Sequence, residues 1–173
     1  FLYWTGASTH SAAGHTWLPL QQLIDSGDST PVEVAVGDRD PVQLLYTSGT
    51  TANPKGVVTS HLAVTMAAMA NIIANQLPPE ASVLCQLPLF HCTAVNCLAV
   101  PTWMMGGKLV LAKGFDAREC ARLMEEHKVY MWVGLPMMYN EILTDPEASQ
   151  RDFSSVRRAL YAMAPMAESK LQA

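Results

Sequence analysis

Charge is scarce in this chain. Only 15% of its 173 residues are Asp, Glu, Lys or Arg, and the net charge is −4. Arg157-Arg158 is the only adjacent pair drawn from Lys and Arg, so no basic patch is expected, and the acidic balance argues against a nucleic-acid partner. Long hydrophobic runs are missing too. Leu62 to Ala70 and Cys97 to Met105 are the longest, and each is broken by a Thr or Pro. Both fall far short of a bilayer span, so no transmembrane segment is expected. The opening Phe1-Leu2-Tyr3-Trp4 has neither the basic n-region of a signal peptide nor an initiator Met. A cytoplasmic protein is expected, as is a start inside a longer chain.

Metal and disulfide signals are equally thin. Cys85, Cys92, Cys97 and Cys120 form no C-x-x-C pair and have apolar neighbours. That predicts buried free thiols in a reduced compartment. His10, His15, His61 and His127 have no partners at metal-ligand spacing, so no metal site is expected. There is no G-x-S-x-G elbow, which argues against a hydrolase of that kind. Glu125-Glu126 reads as a solvated helix face.

What the chain does have is concentrated in Tyr46-Thr47-Ser48-Gly49-Thr50-Thr51-Ala52-Asn53-Pro54-Lys55-Gly56-Val57-Val58. An apolar run, Val42 to Tyr46, leads into it. Small residues let a backbone wrap closely round a ligand and turn N–H groups toward an anion. Thr47, Ser48, Thr50 and Thr51 add hydroxyls, and Lys55 adds one positive charge suited to phosphate. A phosphate-cradling loop after a buried strand is one reading; a hydroxyl-rich surface turn is the other. As a Walker A loop it fails at two of the four fixed positions. Gly49 and Lys55 have the right separation, but Pro54 stands in the second glycine's place and Gly56 replaces the magnesium-binding hydroxyl.

The stretch closely resembles the signature loop of the adenylate-forming superfamily, Y-T-S-G-T-T-G-x-P-K-G-V, with Ala52 in place of one glycine. These are acyl-CoA synthetases, luciferases and the adenylation domains of peptide synthetases. The resemblance implies that Thr47, Ser48, Gly49, Thr50, Thr51, Lys55 and Gly56 hold the β- and γ-phosphates of ATP. If position 52 needs a positive φ, its alanine costs roughly 1 kcal/mol.

Along the chain, Trp17 to Ile24 looks like a short helix and Asp25 to Pro31 an exposed loop. Strands are predicted at Val42–Tyr46, Val83–Leu87, Lys108–Leu111, Tyr130–Val133 and Arg158–Ala162. Ser60 is placed to cap a helix from His61 to about Gln76, rich enough in Ala, Met, Leu and Ile to be covered on most sides. Thr93 to Met105 is helical, kinked or split by Pro101. Asp116 caps a third helix, with Glu119 at capping-box spacing. Pro136 starts a fourth. The alternation predicts an α/β fold: a mostly parallel sheet with helices on both faces, with ligands beyond the carboxyl ends of its strands. Residues 1–41 read as an edge and connecting segment of a larger domain, and 42–173 as an incomplete ATP- and acyl-binding subdomain.

Three strand ends carry chemistry: the loop, Pro88 to His91, and Tyr161 to Pro165. By local chemistry alone His91 is a helix-capping or backbone-satisfied histidine. The resemblance gives it a role, because the family carries P-x-F-H at this distance, lining the acyl pocket near the carboxylate being activated. Phe90 is a second candidate there. Phe153 to Leu160 and Tyr161 to Met166 resemble the family's S-S-L-R and G-G-A-P-L segments, whose backbone flanks adenine. Ala164 and Pro165 match, while Ala162 and Met163 stand where glycines are usual. Gly106-Gly107 and Gly134-Leu135-Pro136 look like further landmarks, first of all a turn and a helix start. Met137, Met138 and Tyr139 face either an acyl tail or the core.

The resemblance implies an acid–thiol ligase, AMP-forming, using ATP, Mg2+ and coenzyme A on a carboxylic acid. A fatty acid fits the apolar composition. The family's later glutamate segment, its ribose-binding Asp and the lysine of its C-terminal domain have no counterpart here, so this chain alone is expected to be inactive. The alternatives are an adenylation domain loading a carrier-protein thiol, a non-catalytic nucleotide-binding scaffold and, third, a Walker-type NTPase. Against an amino-acid substrate, no Asp stands near Phe90-His91 to grip an amino group.

Overall fold

The computed structural model describes residues 2–4, 10–12, 15–47, 53–162 and 164–165. The chain divides into two compact units, Phe1–Val36 and Gly37–Ala173.

In the first unit, β1 (Leu2–Trp4), β2 (His10–Ala12) and β3 (His15–Pro19) form a sheet of order β1-β3-β2. The β1–β3 pairing is parallel and β2–β3 is antiparallel. A helix was expected from Trp17, but β3 continues to Pro19 and α1 occupies Leu20–Asp25. Pro19 explains the boundary: its own backbone is extended at ψ 133°, and its fixed φ leads into the helix. The following polar segment is exposed, as its composition predicts.

The second unit begins with a hairpin. β4 (Pro41–Tyr46) pairs antiparallel with β5 (Gly56–Ser60), with Tyr46 opposite Gly56. This corrects the sequence expectation, in which the loop led to the helix with no second strand between. β5 then runs directly into α2 (His61–Asn75), capped as expected by the Ser60 hydroxyl, which accepts from the Ala63 N–H at 3.2 Å. The next amides, His61 and Leu62, donate to the carbonyls of Asp40 and Asp38, tying the helix start to the strand entry.

The main sheet is wholly parallel, in the order β7-β6-β8-β9. Its strands are β6 (Ser82–Cys85), β7 (Lys108–Leu111), β8 (Met131–Gly134) and β9 (Arg158–Tyr161). Every residue of β6 and β8 is buried, as central strands covered on both faces require. Side chains alternate between two cores. Leu84, Val110 and Trp132 meet α4 (Ala117–Glu126) and α5 (Pro136–Thr144) on one face. Val83, Cys85, Met131 and Val133 meet α2 and a π-helix (Thr93–Ala99) on the other. Burying each such side chain contributes about 1.5–3 kcal/mol.

The π-helix passes straight into α3 (Val100–Met104). Pro101 has no N–H to give the Cys97 carbonyl, and the Val100 N–H reaches back to Val95, an i→i−5 bond. The α3–β7 turn uses Gly106 at φ +67° and Gly107, where a Cβ would lie 2.4 Å from the Ala81 carbonyl oxygen. At α4 the Asp116 carboxylate accepts from the Glu119 N–H at 2.8 Å. The reciprocal half of a capping box is not made, because Glu119 holds Arg122 with both oxygens instead.

α2 departs from expectation. Only Ala68 is buried, while Met66, Met69 and Ile73 are exposed. Leu44, Tyr46, Val57 and Val58 of the hairpin are exposed as well. No described residue covers these apolar surfaces. Among the described helices none is long and apolar enough to cross a membrane.

Candidate active site

The hairpin turn is closed at its base by a reciprocal pair of bonds. Thr47 N–H donates to the Lys55 carbonyl at 3.0 Å, and Lys55 N–H donates to Thr47 Oγ1 at 3.1 Å. The Thr47 hydroxyl therefore serves as an acceptor here and keeps its own proton to donate outward. Lys55 is exposed at the mouth. Gly56 opens β5, and a Cβ there would lie 2.9 Å from Leu44 Cδ1 and against the Tyr46 ring, so its missing side chain is explained by packing in the ladder. Ser48, Gly49, Thr50 and Thr51, with Ala52, lie outside the described residues.

The second group lies beyond the carboxyl ends of β6 and β8. A cavity of about 260 Å³ is lined by Gln86, Leu87, Pro88, His91, Phe115, Leu135 and Met138. His91 is placed by a tight turn, its N–H donating to the Pro88 carbonyl at 2.9 Å. Its Nδ1 accepts from the Thr93 N–H at 3.1 Å, at the start of the π-helix. That bond puts the proton of the neutral ring on Nε2, which bonds to none of the described residues. The histidine is thus both the local cap its sequence context suggested and a cavity-lining group. Phe90 is 84% exposed and does not line the cavity.

The cavity wall is pinned by a residue that sequence reasoning passed over. Gln86 is buried; its Oε1 accepts from Trp132 Nε1 at 3.0 Å and its Nε2 donates to the Val133 carbonyl at 2.8 Å. Met138 lines the same cavity, with its Sδ 3.4 Å from the Leu135 N and 3.6 Å from Gln86 Nε2. Met137 is exposed. Tyr139 belongs to the core: its ring lies 4.4 Å from that of Trp132, its hydroxyl donates to the Leu160 carbonyl at 2.8 Å, and burial pushes its pKa up.

Ala164 and Pro165 follow β9 and are exposed; Met163 lies outside the described residues. Tyr161 pairs with Gly134, and Ala162 N–H reaches the Gly134 carbonyl. The segment therefore ends beside the strand whose next residue, Leu135, lines the cavity. The four cysteines are free, but the expectation that all are buried holds only for Cys85 and Cys120: Cys97 is half-buried, and Cys92 is exposed with its Sγ 3.8 Å from His91 Nδ1. No cluster of three or more His, Cys, Asp or Glu lies among the described residues.

The strand leading to the hydroxyl-rich loop belongs to the separate antiparallel β4–β5 hairpin, not to the parallel sheet as the sequence suggested. A wholly parallel α/β sheet with a cavity beyond the carboxyl ends of β6 and β8 places the chain in the class of α/β ligand-binding folds. Within that class, the chain belongs to the AMP-binding enzyme family, whose model matches residues 5–173. It is 32% identical over 143 residues to a feruloyl-CoA synthase of Amycolatopsis sp, covering 83% of this chain and 29% of that protein. Among solved structures, the N-terminal domain of FACL13 from Mycobacterium tuberculosis matches with a TM-score of 0.77 and 28% identity, over 90% of this chain and 40% of that one. The o-succinylbenzoate coenzyme A synthetase of Bacillus subtilis, solved with ATP and a magnesium ion, has a TM-score of 0.77 at 22% identity, over 90% and 32% of the two chains, and supports the fold alone. The chain thus spans under a third of the length of the curated relative it matches.

Proposed function

We propose that this chain is the phosphate-loop portion of an AMP-forming acid–CoA ligase. An oxygen of a carboxylate attacks the α-phosphorus of MgATP, the bond to pyrophosphate breaks, and an acyl-adenylate forms. The thiol of coenzyme A then attacks the acyl carbonyl and displaces AMP. Such phosphoryl chemistry depends on positioning and on stabilising charge spread over phosphate oxygens. Lys55 and the hydroxyls of Thr47, Ser48, Thr50 and Thr51 hold the leaving pyrophosphate, and Gly49 allows close backbone approach. Gly56 lets the ladder close beneath the loop. Ala164 and Pro165 flank the adenine. His91 presents Nε2 to the acid's carboxylate. Magnesium arrives with ATP, and no ligand for it is assigned among the described residues. Residues 42–173 form the ATP- and acyl-binding part, residues 1–41 an edge of the larger domain, and the chain alone does not complete the reaction.

The observation that carries this reading is the long signature loop, in a chain of the AMP-binding family, together with a histidine at the edge of an apolar cavity. The apolar lining suits a fatty acid. The similarity to feruloyl-CoA synthase favours a second reading, an aryl acid. Assaying AMP and CoA-thioester formation by the full-length protein with matched fatty and aryl acids separates the two. ATP binding without a product from any acid sinks both in favour of a nucleotide-binding scaffold, and thioester formed only on a carrier protein replaces coenzyme A as acceptor.

A further inference from the structure

A pair of amides joins the hairpin to the helix after His91. Gln43 Nε2 donates to Asn96 Oδ1 at 2.8 Å, and Asn96 Nδ2 donates back to Gln43 Oε1 at 3.0 Å. Both residues are half-buried, and they lie 53 positions apart in the chain. Gln43 is in β4, the strand that ends at Tyr46 and opens into the loop. Asn96 is in the π-helix, whose first turn is capped by His91.

Each partner sits at a local irregularity. The β4–β5 register shifts between Pro41 and Gln43. Asn96 lies within the π-helix, whose wider turn rotates every residue after it. Bulges and π-turns re-aim side chains and recur beside functional sites. Here they bring two flat amides head to head. Both bonds form at only one separation and orientation, whereas an apolar contact would let the elements slide.

We propose that the Gln43–Asn96 pair is a positioning device for acid activation, holding the phosphate loop and the histidine-edged cavity in register so that carboxylate and α-phosphorus meet in line. It rests on the ligase reading above. Neither residue lines the cavity or belongs to the loop; each acts through the element it fixes.

The test is acid-dependent ATP–pyrophosphate exchange by the full-length protein carrying Gln43→Asn, Asn96→Gln, or both. Each single change leaves the amides too far apart or too crowded, and the double swap restores the combined length. Each single variant is expected to lose about 10- to 100-fold in kcat, as a misplacement near 1 Å does. The KM values for ATP and acid stay within about threefold, because neither residue lines the cavity or belongs to the loop. The swap returns kcat to within about threefold of wild type. Melting temperature and nucleotide-binding stoichiometry report the folded fraction. The proposal is overturned by single variants with wild-type kcat, by losses that merely track lost nucleotide binding, or by a swap no better than the worse single variant. A wild type without acid-dependent exchange fails earlier, and overturns the ligase reading itself.

Discussion

Gln86 accepts the indole N–H of Trp132 at 3.0 Å while donating to the carbonyl of Val133, the next residue along β8. One buried amide thus fixes a core aromatic ring and a strand backbone at the edge of the cavity. Replacing Gln86 with Leu removes both partners and leaves a buried N–H and a buried carbonyl unpaired, at about 1–3 kcal/mol each. The expected result is a lower melting temperature of the full-length protein. Trp132→Phe in the same background recovers part of the loss, because the indole no longer needs an acceptor. Strict additivity of the two changes would show that the hydrogen bond contributes nothing.

His91 has separable duties on its two ring nitrogens. Asparagine can reproduce an acceptor near Nδ1, and glutamine a polar group near Nε2. His91→Asn is expected to keep the π-helix cap and normal stability but to lose about 10²-fold in acid-dependent turnover. His91→Gln is expected to lose about 1 kcal/mol of stability with the cap and to keep more of the activity. Equal activity in the two variants would remove Nε2 from the site.

Much of this architecture was legible locally. Ser60 and Asp116 announce helix starts, and Pro101 and Pro136 act through a missing N–H and a fixed φ. The buried strands read as short apolar runs between turn residues. β5 was missed because Gly56 to Ser60 follows the loop without a break in composition, and its valines are half or more exposed, so no buried alternation marks it. The strands of the first unit are short and are defined by pairing rather than by pattern. α2 looked wrapped because its composition is apolar all round, and composition does not say what covers a helix. Gln86 and Gln43 carried no signal at all, since their partners lie 46 and 53 residues away. The loop and His91 stood out only because motif and residue type survive without knowledge of contacts.

Acid should loosen the corner where α4 meets the segment before β9. Asp152 accepts from the Ser154 hydroxyl and N–H and from Lys128, which together hold its carboxyl down at about 2. Hydrogen bonds from the Asp152 N–H and from Arg151 likewise lower Glu125. A group with a depressed folded pKa binds its proton more readily when unfolded, so stability rises with pH across the interval. The contribution is complete above the ordinary carboxylate range and disappears as pH falls toward 2. Melting temperature should therefore drop on acidification below about pH 4.5, and less steeply in Asp152→Asn. A variant with the wild-type slope would assign the acid sensitivity to other carboxylates.

On the proposed reading, the loop ending at Lys55 serves adenylation of an acid. The most direct test is ATP–pyrophosphate exchange by the full-length protein, with and without each of a series of fatty and aryl acids, in wild type and Lys55→Ala. Exchange is expected only when a suitable acid is present, with a loss in the variant of on the order of 2–4 kcal/mol of transition-state stabilisation, about 30- to 1,000-fold in rate. Exchange that survives intact in Lys55→Ala, or a folded wild type that binds ATP and stays silent with every acid, would contradict that reading.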